Sequence, residues 1–215
     1  MKYLGPNGDL DHGPCLEVDL DEGVLNLVFT CPQASDTINT ALALERLVAV
    51  LRDDEAVRVV VLRGNGPNAS LRLLPQPLLA MVHGACNTAT LALLEACDIV
   101  ICADDASFAV PGSSSNALNA QAAQRQGLVS LCVPASELQG QTDQLARELA
   151  AKDALALRFT KQTLKRVPDI PWGEVLAFTS AKQAELKALQ AGQPSARASA
   201  IASFLAGKSK PGAGT

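Results

Sequence analysis

Residues 74–84 read LPQPLLAMVHG, and residues 96–103 read ACDIVICA. Each stretch holds a short apolar run, 78–82 in the first and 99–102 in the second, and a third run, 57–62, lies upstream. Apolar runs of this length are typical of strands that are covered on both faces of a parallel sheet. The sequence therefore predicts three neighbouring, mostly parallel strands.

The segments around these strands alternate between strand and helix patterns. Residues 16–29 alternate apolar and polar side chains around a short turn that contains glycine, which predicts a β-hairpin. Residues 40–52 and 88–97 have the spacing and composition of helices. Further strands are predicted at 107–110 and 127–133. Strands and helices in this order indicate an α/β fold.

The C-terminal part of the sequence has helical patterns broken by proline and glycine. Helices are predicted at 136–151, 153–166, 172–189 and 194–205. We therefore divide the chain into a flexible arm, a strand-rich core, a helical region and a flexible tail, at 1–14, 15–135, 136–206 and 207–215. His12 belongs to the arm and is predicted to be solvated.

Composition excludes several classes of function. The net charge of −4 argues against a nucleic-acid surface, which is normally basic. No apolar run reaches the roughly 18 residues that span a bilayer, and no signal peptide opens the chain, so we expect a cytoplasmic protein without membrane association. The six cysteines form no Cys-x-x-Cys pair and the chain has only two histidines, so no metal site is predicted and reduced core thiols are expected.

Taken together, these blocks resemble the crotonase (enoyl-CoA hydratase/isomerase) superfamily. The opening strand, the strand that ends in Gly-Asn-Gly, the core block and the Ala-Ser-Phe-x-x-Pro block occur in the family's order and spacing, at 24–29, 57–66, 74–103 and 106–111. Later segments, 120–133 and 204–208, resemble the family's closing motifs. The resemblance covers most of residues 16–210.

The resemblance implies an α/β fold, a ββα spiral with a C-terminal helical trimerisation region, and hence a homotrimer or a dimer of trimers. It also implies an acyl-CoA thioester as substrate, with no further cofactor. In the family, two backbone amides bind the thioester carbonyl and stabilise the enolate. The motif places one of these amides on Ala89. The resemblance further assigns substrate binding to Ala69, Ser70, Gly84, Thr88 and Pro111, and possible contacts with the CoA phosphates to Lys208 and Lys210.

The chain departs from the family at the residues that move protons. The two glutamates that hydratases use for water addition correspond to Ala92 and Gly112, and neither side chain can transfer a proton. This pattern resembles a subgroup of enoyl-CoA hydratase domain-containing proteins. The chain is also shorter than the family pattern after Ser70 and after Ser115. Either these segments are deleted or they are missing from the sequence as recorded.

Two hypotheses remain open. The first is an acyl-CoA-binding enzyme of the hydratase/isomerase family, a lyase or isomerase of fatty acid metabolism. The second is a non-catalytic module that binds CoA esters or other subunits. A serine protease of the same spiral architecture would need His83 as its base, and a nicotinamide enzyme would need a glycine-rich motif that is absent. Glu95 is expected to be a solvated helix residue rather than a substitute base.

Overall fold

A computed structural model of the protein describes residues 1–8, 10–30, 37–64, 71–109 and 117–191. The chain divides into two compact units, Met1–Lys161 and Gln162–Thr215. This division falls later than the boundary at residue 135 that the sequence predicts between the strand-rich core and the helical region. The other predicted domain boundaries stay predictions.

The first unit is built on a six-stranded sheet. Its strands, in chain order, are β1 (Leu16–Asp21), β2 (Val24–Phe29), β3 (Val59–Arg63), β4 (Leu78–Val82), β6 (Ile99–Ala103) and β9 (Leu131–Val133). They lie side by side in that same order. The β1–β2 pair is the predicted hairpin and is antiparallel, whereas every other pair in this sheet is parallel.

The three strands predicted from their apolar runs are adjacent and parallel, which confirms that prediction. Val60 of β3 pairs with Leu78 of β4, and Leu79 of β4 pairs with Ile99 of β6. The runs were informative because both faces of these strands are covered. Val60 belongs to one core cluster, whereas its neighbour Val61 packs on the opposite face of the sheet.

Two helices of the first unit cover the opposite faces of the sheet. Helix α1 (Thr37–Leu51) contributes buried leucines to the core cluster that contains Val60 and Leu62. Helix α4 (Leu138–Ala150) places Ala146 and Ala150 against Val59 and Val61. The helical stripe predicted within residues 40–52 is therefore the stripe that α1 buries.

A second, smaller sheet lies beside the carboxyl end of β4. It contains β5 (Ala85–Cys86), β7 (Ser107–Ala109) and β8 (Ala117–Asn119). Helix α2 (Thr88–Leu94) follows β5, and helix α3 (Ala120–Arg125) follows β8. The strand predicted at 127–133 is shorter than expected and begins at Leu131, because residues 127–130 form the connection from α3.

The remaining helices agree with the sequence pattern. Helix α5 (Ala154–Arg166) is followed by a 3-10 turn, Val167–Asp169, and helix α6 (Trp172–Leu189) lies in the second unit. The helix predicted at 194–205 lies outside the described residues. No helix in the described ranges has the length and hydrophobicity needed to cross a membrane.

The N-terminal segment differs from the predicted arm. Tyr3 is buried in the main core, and its amide donates to the carbonyl of Val18 at 2.8 Å. The prediction that His12 is solvated is wrong, since His12 is 4% exposed and its Nε2 contacts the carbonyl oxygen of Tyr3. Polar residues in a Gly- and Pro-rich stretch gave no signal of this burial, because it depends on packing against β1.

The expectation of reduced thiols throughout is also wrong at one position. Cys15 is disulfide-bonded, whereas the other described cysteines, namely Cys86, Cys97, Cys102 and Cys132, are reduced thiols.

Candidate active site

The candidate site lies where β4 ends and the chain turns through β5 into α2. His83 and Gly84 are exposed, and Gly84 has a φ of 68°, which favours glycine over residues with a side chain. The amide of Ser107 donates to the carbonyl of Gly84 at 3.0 Å, so the turn is attached to the second sheet. Ligands of α/β proteins bind at the carboxyl ends of parallel strands, and this turn stands at that edge.

Asn87 caps the first turn of α2. Its Oδ1 accepts hydrogen bonds from the amide of Thr90 at 3.0 Å and from the hydroxyl of Thr90 at 3.1 Å. An asparagine in this position satisfies one of the amides that a helix start leaves without a partner. The sequence contained a signal for this residue, since Asn immediately before a helical pattern is a capping signature. The family motif instead assigned roles to Thr88 and Ala89, and the cap was not predicted.

The cap leaves two amides of the first turn unused. Thr88 and Ala89 are exposed, and within the described part of the chain their N–H groups have no hydrogen-bond acceptor. Alanine keeps the backbone donor that glycine would supply. Among the described residues, Ala89 therefore has an N–H without an acceptor, next to the capped turn.

A cavity of about 70 Å³ lies between α2 and the main sheet. Its walls are mostly buried and apolar, and they include Leu62, Ala80, Val82, Cys86, Leu93 and Leu94. The exposed residues that line it, Gly64 and His83, mark its mouth at the carboxyl ends of β3 and β4. Thr90, next to Ala89 in the chain, also lines the cavity.

Burial keeps the thiols of Cys86, in the cavity wall, and Cys102, in the adjoining core, neutral. Desolvation raises the pKa of Cys86 to about 11. Burial also raises the pKa of Cys102 to about 12, and its hydrogen bond and charge interaction with Cys132, the register partner on β9, act in the same direction. A neutral buried thiol behaves as a small apolar side chain. Cys86 therefore adds to the apolar wall and offers no thiolate nucleophile at neutral pH.

The opposite, amino end of the same strands contains a buried ion pair. Lys161 Nζ lies 2.7 Å from Asp98 Oδ2 and donates to the carbonyl of Gln76 at 2.7 Å. The same Asp98 oxygen accepts from the amide of Leu78 at 2.8 Å, and the side chain of Lys161 is only 6% exposed. Asp98 thus has a structural role at this end of the sheet.

The structure brings together only part of the predicted site. Gly84, Thr88 and Ala89 lie within one turn and the following helix start, and Ala92 is half-buried one turn further along α2. Ala92 does not line the cavity. The other predicted residues, namely Ala69, Ser70, Pro111, Gly112, Lys208 and Lys210, lie outside the described residues.

Sequence reasoning missed the residues that form the cavity. Leu93 and Leu94 looked like ordinary helix formers, and Cys86 looked like a core thiol, because a shared cavity is a property of three-dimensional packing. His83 was singled out only as a catalytic base, whereas the structure places it at the mouth. No cluster of His, Cys, Asp or Glu suited to a metal ion occurs among the described residues.

Comparison with known proteins gives consistent results. Hydroxycinnamoyl-CoA hydratase-lyase of Pseudomonas fluorescens is 25% identical, over 92% of this chain and 94% of the relative. Enoyl-CoA hydratase domain-containing protein 3 of mouse mitochondria is 23% identical, over 88% of this chain and 83% of its own. No family model matches the chain.

Solved structures show the same fold. The crystal structure of human enoyl-CoA hydratase domain-containing protein 3 superimposes with a TM-score of 0.77 at 22% identity, covering 91% of this chain and 99% of that chain.

The chain therefore has the crotonase fold and resembles proteins of the enoyl-CoA hydratase family in sequence.

The alignment with the hydratase-lyase runs over 262 positions, more than the 215 residues of this chain. The relative therefore contains stretches that have no counterpart in this chain.

Proposed function

We propose that this protein binds acyl-CoA thioesters at the carboxyl edge of its main sheet, with the amide of Ala89 donating to the thioester carbonyl. The observation that carries the proposal is the first turn of α2. There, Asn87 satisfies the amide of Thr90, while the exposed Ala89 has an amide with no acceptor among the described residues, beside the mouth of an apolar cavity. The relatives named for CoA substrates support the same class of ligand.

The proposed contact has a simple physical basis. The amides of a helix start carry unpaired N–H groups, which stabilise negative charge that develops on a carbonyl oxygen. A donor of this kind typically lowers a barrier by about 2.7–4 kcal/mol when it acts on the charged state. On the uncharged thioester its contribution is that of an ordinary hydrogen bond, about 0.5–1.5 kcal/mol.

The same helix argues against ordinary hydration. Water addition needs a base and an acid, each of which typically contributes 10²–10⁴-fold. Ala92 occupies a position that the family resemblance assigns to one of them, and alanine cannot transfer a proton. We therefore expect hydration of crotonyl-CoA to be absent or orders of magnitude below that of a competent hydratase.

This observation favours a second candidate function, a module that binds CoA esters or subunits without turning them over. Self-association as a trimer or a dimer of trimers is part of both proposals. Within the second unit, Trp172 and Leu176 of α6 are 89% and 77% exposed, and apolar exposure of this kind is typical of contact surfaces. Light scattering that shows a stable monomer at micromolar concentration would contradict this part of the proposal.

Replacing Ala89 by proline tests the proposed donor. Proline removes the N–H, and within the described residues this amide makes no bond that the helix would lose. Gln121→Pro is a matched control, because Gln121 has the same position after the Asn119 cap of α3. We expect Ala89→Pro to weaken crotonyl-CoA binding up to about tenfold in titration calorimetry, and Gln121→Pro to leave it unchanged. Equal affinities for wild type and Ala89→Pro would refute the donor.

Restoring the acids separates the two candidate functions. Ala92→Glu combined with Gly112→Glu should raise crotonyl-CoA hydration if the rest of the machinery is present. A double variant that binds crotonyl-CoA but stays inactive would favour the binding module.

A further inference from the structure

We infer that the acyl group that this protein accepts is short, with an upper limit of roughly four carbon atoms. This inference rests on the proposed function, since it identifies the cavity under α2 as the place where the acyl chain ends. It concerns the length of the substrate, which neither the family nor the relatives specify for this chain.

The volume of the cavity sets the limit. The cavity measures about 70 Å³. A protein cavity of about 150 Å³ holds benzene, with its six carbons, so this one holds roughly three carbon atoms. The thioester carbonyl would stay outside, at the amide of Ala89, which adds one carbon to the chain.

The side chains that line the cavity are packed against other core residues and cannot move outward without displacing them. Leu62 and Leu93 also belong to the core cluster beneath α1, and Ala80 and Leu94 belong to a second cluster that contains Phe108. All four side chains are at most 4% exposed. A longer chain would have to displace packed core atoms, and such overpacking typically costs about 1–3 kcal/mol.

The interior of the cavity suits an alkyl chain better than a polar group. The hydroxyl of Thr90 already bonds to Asn87, and burial raises the pKa of the Cys86 thiol, so that this thiol stays neutral. An alkyl group therefore finds apolar walls, whereas a hydroxyl or carboxylate would be buried without an evident partner.

Titration calorimetry with acetyl-, butanoyl- and octanoyl-CoA, with free CoA as reference, tests the inference. In an unrestricted apolar site each added methylene strengthens binding by about 0.8 kcal/mol, or about fourfold. In this protein we expect the gain to hold from acetyl- to butanoyl-CoA and then to reverse, with octanoyl-CoA binding at least about tenfold more weakly than butanoyl-CoA because of the overpacking cost.

Two variants test the cavity directly. Leu94→Ala enlarges it, and Leu138→Ala is the matched control, since Leu138 is also 4% exposed but packs on the other face of the sheet. Octanoyl-CoA should bind at least about tenfold more tightly to Leu94→Ala than to wild type, and Leu138→Ala should keep the wild-type preference. Ala80→Val fills the cavity and should weaken butanoyl-CoA while leaving free CoA unchanged, with Ala146→Val as its control.

The outcomes separate this inference from the proposed function. The length limit would be overturned, with acyl-CoA binding intact, if octanoyl-CoA bound tightly to wild type. It would also be overturned if Leu94→Ala and Ala80→Val both kept the wild-type preference among the acyl-chain lengths. Failure of every CoA thioester to bind would overturn the proposed function and the length limit with it.

Discussion

The two ends of β4 differ in how their polar groups are used. At the amino end, Asp98 accepts from both the amide of Leu78 and the ammonium group of Lys161, so charges and donors are paired and buried. At the carboxyl end, the turn through Gly84 is exposed and the amide of Ala89 lacks a partner within the described chain. The comparison shows that one end of the strand stabilises the fold, whereas the other keeps donors available for a ligand.

The largest effect is expected at the amino end. Lys161→Met leaves Asp98 partly buried without its cation, and breaking a buried pair typically costs about 3–5 kcal/mol. Urea unfolding should show this loss. Lys182→Met is the control, because Lys182 pairs with Glu185 at the surface and such pairs contribute at most about 1 kcal/mol. Similar losses in both variants would remove the distinction between a stabilising end and a ligand-binding end.

Two glycines sharpen the description of the carboxyl end. Gly64 has a φ of 83°, and a Cβ there would lie 2.6 Å from the carbonyl oxygen of Phe29. Gly84 has a φ of 68° and open space around it. Gly64→Ala should therefore cost about 3 kcal/mol of folding stability, through strain and a backbone clash, and Gly84→Ala about 1 kcal/mol through strain alone. Thermal unfolding of both variants measures the difference, and a costlier Gly84→Ala would mean that the turn is packed rather than open.

The alkylation rate of the Cys86 thiol shows whether water reaches the wall of the cavity. Its pKa is raised from 9.0 to about 11, so at pH 8 alkylation by iodoacetamide should be about 100-fold slower in the folded than in the unfolded protein. Because the folded pKa lies above the unfolded value, the neutral thiol stabilises the fold fully below pH 9, and this contribution is lost as the pH rises to about 11. Mass spectrometry of the Cys86 peptide measures the rate; labelling as fast as in the unfolded chain would show that water reaches the wall.

The smallest effect on stability is expected at the helix caps. Asn87→Ala removes the acceptor for the amide and hydroxyl of Thr90, and Asn119→Ala removes the acceptor for the amide of Ala122. Each variant should cost about 1 kcal/mol. Only Asn87→Ala should also weaken acyl-CoA binding, since only α2 lies at the candidate site. If both variants weakened binding equally, the effect would follow general stability rather than the position of α2.

Sequence reasoning worked where burial follows directly from local pattern. The apolar runs of β3, β4 and β6 are typical of strands of a covered sheet, and the family motifs located the turn at Gly84 within the same region. It failed where the local pattern is weak and where a residue depends on a distant partner. Helix α3 was missed because its Ala- and Gln-rich segment has no apolar stripe, so that only the Asn119 cap marks its start.

The buried charges illustrate the same limit. Lys161 sits in a helix with many polar residues, and nothing nearby in sequence indicates that Asp98 would pair with it. The candidate site was partly predictable for a related reason. The backbone donor at Ala89 is fixed by the start of a helix, whereas the cavity requires Leu62, Cys86 and Leu94 to meet from three separate segments.

The most direct test of the central claim is to follow crotonyl-CoA mixed with the wild-type protein, recording binding heat and the formation of 3-hydroxybutanoyl-CoA in the same sample. We predict saturable binding, with product at the level of the protein-free control. The amide of Ala89 can donate to the thioester carbonyl, whereas the side chain of Ala92 cannot transfer a proton. Robust product formation by protein shown to be free of contaminating hydratase, or the absence of any binding heat, would contradict this prediction.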